Sequence, residues 1–190
     1  VTPNCLVWTR DVEGNYYIAR VLSGWEYWTS DEANEKDIDI ANIFRCSIIK
    51  VNIEDVPGKV IACFRPTRTF QEIANTQAVE YSKYLWNKLS QEKIYEIDND
   101  KFSDIFNLLD AEETEDLLFL YLQQKGWYIL PNSRKADTMS YEFLCVKPKT
   151  GEVAATQVKT GYSVINKDSY KMARNHIFYS SLITIMKVKI

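Results

Sequence analysis

Residues 141–161 read YEFLCVKPKTGEVAATQVKTG. Apolar residues fill 143–146 and 153–155 and return at 158, and the words between the two runs, Lys147 to Glu152, hold Pro148 and Gly151. That is the pattern of two strands joined by a tight turn, with Gly151 free to take a positive φ. The first strand is expected over 141–146 and the second over 153–159. Side chains alternate between faces along a strand, so Gln157 and Lys159 share one face. A hairpin brings that face beside one face of its partner, where Glu142 stands. An acid, an amide and an ammonium are thereby expected at one end of one hairpin.

The residues around the hairpin are basic. From 133 to 190 there are ten Lys and Arg against four Asp and Glu, whereas 92–116 holds ten acids and two bases. The overall charge of −3 hides this asymmetry. A basic surface around the hairpin suits phosphate, with Arg134, Lys135, Lys167 and Lys171 as the candidate nucleic-acid contacts. The same charges also suit an ordinary solvated surface.

Working back from the hairpin, residues 110–124 pattern as a helix. Asp110 is placed to cap it, acids crowd its first turns, and Gly126 ends it. Leu117, Leu118, Leu120, Tyr121 and Leu122 make it apolar nearly all round, so it is expected to be largely buried. A strand at 127–130 and a polar loop lead into the hairpin. After Gly161 a short helix is expected over 167–174, then one or two strands between 176 and 190.

This order, carried by EDLLFLYLQQKGWYIL, YEF, the glycine turn and TQVKTG, resembles the restriction-endonuclease-like, or PD-(D/E)XK, nuclease superfamily over residues 110–190. The resemblance implies a helix, a three-stranded meander, a second helix and a further strand on a mixed central sheet. It implies that Glu142 matches the strand acid, Gln157 the variable acid, Lys159 the lysine and Glu115 a helix carboxylate. It implies Mg²⁺ or Mn²⁺ held by Glu142, Gln157 and the backbone carbonyl of Val158. Such a hard ion wants oxygen donors and keeps several waters. Two departures stand out: the family usually has Asp at the position of Glu142, and Asp or Glu at that of Gln157. Asp137 is an alternative acid. The implied function is a metal-dependent nuclease acting on nucleic acid, with DNA as the expected class, in a restriction or defence role, with a homodimer as an option. A nucleic-acid-binding protein with a lapsed site and a protein-interaction module are the alternatives.

The N-terminal half has a different texture. Short apolar and aromatic runs at 6–8, 16–21, 25–28, 43–51 and 60–64, with turns between, predict five strands in a small curled barrel. The acidic stretch 30–39 is expected to be a loop. Residues 69–89 repeat apolar positions at threes and fours, a helix with Thr69 and Glu72 as a capping box. The words VWTRDVEGNYYIARVLSGWEYW resemble the opening of an SH3-like barrel of the Tudor or PWWP kind. That resemblance implies an aromatic cage, with Trp8, Tyr17 and Trp25 as candidates. The expected organisation is therefore α+β: a barrel with a packing helix over 1–90, an acidic connector over 91–109 and a nuclease-like domain over 110–190.

Four cysteines lie far apart without a CxxC pair, and there is one histidine, which excludes the usual zinc patterns. Reduced thiols and a cytoplasmic protein are expected. No run reaches the length of a membrane span, and the N-terminus carries no signal-peptide pattern. The chain opens Val-Thr-Pro without a methionine, as a piece of a longer protein does.

Overall fold

The turn at residues 11–15 shows how the N-terminal strands are set. The Asp11 carboxylate accepts from Asn15 N at 2.8 Å, Asn15 Nδ2 at 2.8 Å and Tyr17 Oη at 2.9 Å. Gly14 supplies the positive φ that the turn needs. Strands β1 (Leu6–Arg10) and β2 (Tyr16–Val21) leave this turn antiparallel. This computed structural model describes residues 1–35, 42–66, 69–131, 133, 141–159, 176–180 and 186–187. Together they form a mixed α+β chain with three small sheets. The chain divides into two compact units, Val1–Asp98 and Asn99–Ile190.

In the first unit, a short pair β3 (Glu26–Tyr27) and β4 (Asn42–Ile43) forms its own sheet. Strand β5 (Cys46–Val51) joins β2, giving the order β1-β2-β5. Helices α1 (Asp31–Glu35), α2 (Gly58–Cys63) and α3 (Thr76–Ser90) complete the unit. The Asn75 side chain caps α3 by accepting from Ala78 N at 2.8 Å. Leu85 and Trp86 of α3 pack with Ile18, Val51, Val56 and Val60 in one core. Each such fully buried aliphatic side chain contributes about 1.5–3 kcal/mol.

Several expectations for this unit are corrected. Residues 60–64 are not a strand: Pro57 opens α2, whose Val60 enters the core. A short apolar run carries too few residues to separate strand from helix by period. The expected strand 43–51 is split between β4 and β5, and part of the expected loop 30–39 is α1. The long helix begins at Thr76, not Thr69, so Thr69 and Glu72 form no capping box. The strands make one open three-stranded sheet and a separate pair, and nothing among the described residues closes them into one barrel. The division between the two units falls inside the acidic stretch 91–109. Tyr95 packs on the first core and donates from Oη to the Asn4 carbonyl at 2.8 Å, while 3-10 turns at Asn99–Ser103 and Ile105–Asn107 belong to the second unit.

In the second unit, helix α4 (Ala111–Gln124) begins with a full capping box between Asp110 and Glu113. Strands β6 (Tyr128–Ile129), β7 (Phe143–Lys147), β8 (Glu152–Lys159), β9 (His176–Ser180) and β10 (Met186–Lys187) follow. The sheet order is β10-β9-β8-β7-β6. The β8–β9 pair is parallel and the other pairs are antiparallel, so the sheet is mixed. Leu118 and Leu122 of α4 pack on Phe143, Cys145, Ala154 and Val158. The helix is less buried than expected, with Leu120 60% exposed, because one stripe alone faces the sheet. The expected helix at 167–174 lies outside the described residues. No helix among the described residues is long and apolar enough to cross a membrane.

Candidate functional site

The hairpin's geometry follows from its turn. Gly151, at φ +71°, lets its N–H reach the Lys147 carbonyl at 2.8 Å. The register then pairs Lys147 with Glu152 and, at the far end, Phe143 with Thr156. Glu142 lies just before the first paired residue of β7 and steps off the ladder, its backbone N–H donating to the Thr156 carbonyl at 2.7 Å. The side chains still meet: Gln157 Nε2 donates to Glu142 Oε1, and also to the Val158 carbonyl at 3.2 Å. Gln157 is only 5% exposed, whereas Glu142 and Lys159 are half-buried. Lys159 follows two residues along the same face of β8.

The opposite face holds the pair in place. Thr156, fully buried, donates from Oγ1 to the Phe143 carbonyl at 2.9 Å. Phe143, Cys145, Ala154 and Val158 pack there against α4. Burial pushes the Cys145 thiol up to about 11, so it stays protonated and unreactive at neutral pH. Glu115 stands in the second turn of α4, half-buried, on the helix that covers this opposite face.

The structure thus brings Glu142 and Gln157 into direct contact and sets Lys159 beside them on the same face. Arg134, Lys135, Asp137, Lys167 and Lys171 lie outside the described residues. Two residues not singled out by sequence reasoning support the site. Thr156 sits inside the TQVK word on the alternate register, which is the signal that it faces the core. Ser133 Oγ donates to the Leu130 carbonyl at 2.7 Å and accepts from Leu144 N at 3.0 Å, clipping residue 133 onto β7. Its signal in the sequence is slight: one serine after a strand-stopping Pro131.

The aromatic cage is corrected. The β1–β2 register pairs Trp8 with Ile18 and Thr9 with Tyr17. Successive residues face opposite sides, so Trp8 and Tyr17 point away from each other. Trp8 Nε1 donates to Ser82 Oγ at 3.0 Å, and Tyr17 is held by Asp11. Trp25 lies just before β3 and donates to Asn42 Oδ1 at 3.0 Å.

A divalent cation is implied by the resemblance alone. The donors present are the Glu142 carboxylate, the Gln157 amide and the Val158 carbonyl. Among the described residues no three His, Cys, Asp or Glu gather to hold a metal. Mg²⁺ needs only one or two carboxylates because it keeps several waters. One carboxylate beside an amide, which carries an oxygen as well as its NH₂ group, meets that minimum. As placed, the Gln157 NH₂ group donates to both of the other oxygens, so the Glu142 carboxylate is the charged donor in this set for a hard cation. Comparison with family models, with curated proteins and with solved structures found no match to this chain.

Proposed function

We propose that the second unit is a divalent-cation-dependent nuclease that hydrolyses phosphodiester bonds, with DNA as the expected substrate and restriction or defence as the expected setting. The observation that supports this reading is the side-chain contact of Glu142 with Gln157, with Lys159 two residues along the same face. The mixed sheet, with a meander followed by a parallel strand, is the architecture that the superfamily resemblance implies.

In this reading Glu142 binds the cation with its carboxylate. Gln157 orients Glu142 by donating from Nε2, and its burial fixes that orientation. Mg²⁺ or Mn²⁺, when bound, supplies Lewis acidity to the scissile phosphate. Lys159 offers an ammonium to the non-bridging phosphate oxygens and stabilises the charge that develops as water attacks in line. Arg134, Lys135, Lys167 and Lys171 are assigned to the phosphate backbone, which positions a substrate without reading its sequence.

A second reading, a nucleic-acid-binding protein with a lapsed site, is favoured by one feature. Gln157 is neutral and already engaged with Glu142, so the site carries a single carboxylate. Incubating the chain with supercoiled plasmid, linear duplex, single-stranded DNA and RNA separates the two. The nuclease reading expects nicking or cutting in Mg²⁺ or Mn²⁺, none in EDTA and none in Glu142→Ala. Salt-sensitive binding that EDTA leaves unchanged, without cutting, supports the lapsed site. Neither binding nor cutting sinks both.

A further inference from the structure

The open edge of β1 carries a separate inference, independent of the hairpin site. β1 lies at one end of the β1-β2-β5 sheet. Val21 N donates to the Cys5 carbonyl at 3.0 Å, and Asp11 N to the Asn15 carbonyl at 3.0 Å. Both fall on the β1–β2 register, so odd-numbered residues of β1 bond to β2. Antiparallel ladders alternate bonded and non-bonded pairs. The N–H and C=O groups of Leu6, Trp8 and Arg10 therefore point away from β2. They have no hydrogen-bond partner among the described residues.

A cavity of about 590 Å³ borders this edge. It is lined by residues 4–8 without a break and by residues 69–73 without a break. A cavity on one face of a strand touches every second side chain. Continuous lining means that it runs along the backbone itself. Residues 69–73 lie in neither helix nor strand, and their backbone groups also have no hydrogen-bond partner among the described residues. Helix α3 forms a third side through Ala78, Val79 and Ser82. The outward backbone groups of Leu6 and Trp8 thus flank one side of the slot, and residues 69–73 the other.

These features select the occupant. A small apolar molecule can touch Trp8, Phe64 and Ile73, but it leaves the rows of backbone groups unsatisfied. A folded surface does not enter a slot walled on three sides. A single extended chain meets both requirements. The lining contributes one acidic side chain, Glu72, and one basic, Lys83, so no net charge is demanded of it. We propose that this slot binds an extended, uncharged polypeptide segment with alternate apolar side chains, by strand addition to β1.

The test uses the full chain and a capped heptapeptide of alternating leucine and serine, with residue-resolved amide exchange as the readout. The amides of Leu6 and Trp8 should exchange at least tenfold more slowly with peptide, while those of Val7 and Thr9, already bonded to β2, stay unchanged. Peptides N-methylated at every amide should give no such protection. Phe70 is 65% and Val79 38% exposed, so Phe70→Ala and Val79→Lys spare the core. Each should weaken binding at least tenfold. No protection of Leu6 and Trp8 at millimolar peptide overturns the proposal. Equal binding of the N-methylated peptides also overturns it, leaving an apolar pocket only, as does binding untouched by Val79→Lys.

Discussion

Replacing Gln157 by glutamate tests the contact on which the hairpin site rests. Gln157 Nε2 donates to Glu142 Oε1, and Gln157 is 5% exposed. Gln157→Glu keeps the shape and substitutes a second carboxylate against the first. Two like charges about 4 Å apart repel by about 4 kcal/mol at an effective dielectric of 20. The half-buried Glu142 relieves part of this, so a loss of about 2–4 kcal/mol is expected at pH 7 in EDTA. For a unit of this size that lowers Tm by roughly 10–25 °C. The loss has a definite pH dependence. Each carboxylate makes its neighbour hold a proton more tightly, so one folded-state pKa rises above its unfolded value of roughly 4.3. Stability relative to the parent is then intact below that value and lost as pH rises through the raised pKa. A divalent cation reverses the effect by bridging the two charges, restoring about 2.7 kcal/mol at a hundredfold excess over Kd. Thermal unfolding followed by amide exchange in β7 and β8 reads all three quantities. Equal stability of the two proteins in EDTA from pH 4 to 8 refutes the contact.

Other consequences follow from the same packing. Asp110→Ala removes the side-chain arm of the α4 capping box, leaving the backbone N–H of residue 110 on Glu113, and should cost about 1 kcal/mol, read as a lower Tm with reduced helicity, while Asp110→Asn keeps most of it. Ser82→Ala strips Trp8 Nε1 of its partner and should cost about 1–3 kcal/mol by urea unfolding. Cys145 should resist iodoacetamide at pH 8 in the folded chain and react once unfolded. Burial raises its thiol from an ordinary 9.0 to about 11, so its contribution is whole below 9 and lost as pH rises toward 11. Cys145→Ala should flatten that alkaline fall in stability.

Much of the second unit can be read from local signals. Asp110 and Glu113 are spaced for reciprocal capping, and Gly151 sits where the turn needs a positive φ. Those two facts locate α4 and the β7–β8 register, which ends at Phe143 and Thr156, next to Glu142 and Gln157. The first unit is harder to read because its misassigned segments serve tertiary packing. Residues 70–73 continue the apolar period of α3, yet they run irregularly beside the cavity, and the helix waits for Asn75 to cap it. Val60 looks like a strand residue by type, and in α2 it packs into the core all the same. Trp8 and Tyr17 are both aromatic and close in sequence, but parity across β1 and β2 sends them to opposite faces. Local composition carries no information about which of two faces will be covered.

The central claim is that Glu142, Gln157 and Lys159 form one hydrolytic site. Its most direct test is single-turnover cleavage of DNA in Mn²⁺ by the parent chain and by Lys159→Met, with DNA affinity measured in parallel. Lys159 is assigned to the reacting phosphate rather than to the duplex. The account predicts a cleavage rate lowered at least a hundredfold, about 2.7 kcal/mol of transition-state stabilisation, with affinity changed no more than a few-fold. Cleavage by Lys159→Met at the parent's rate, or loss of affinity in proportion to rate, contradicts it.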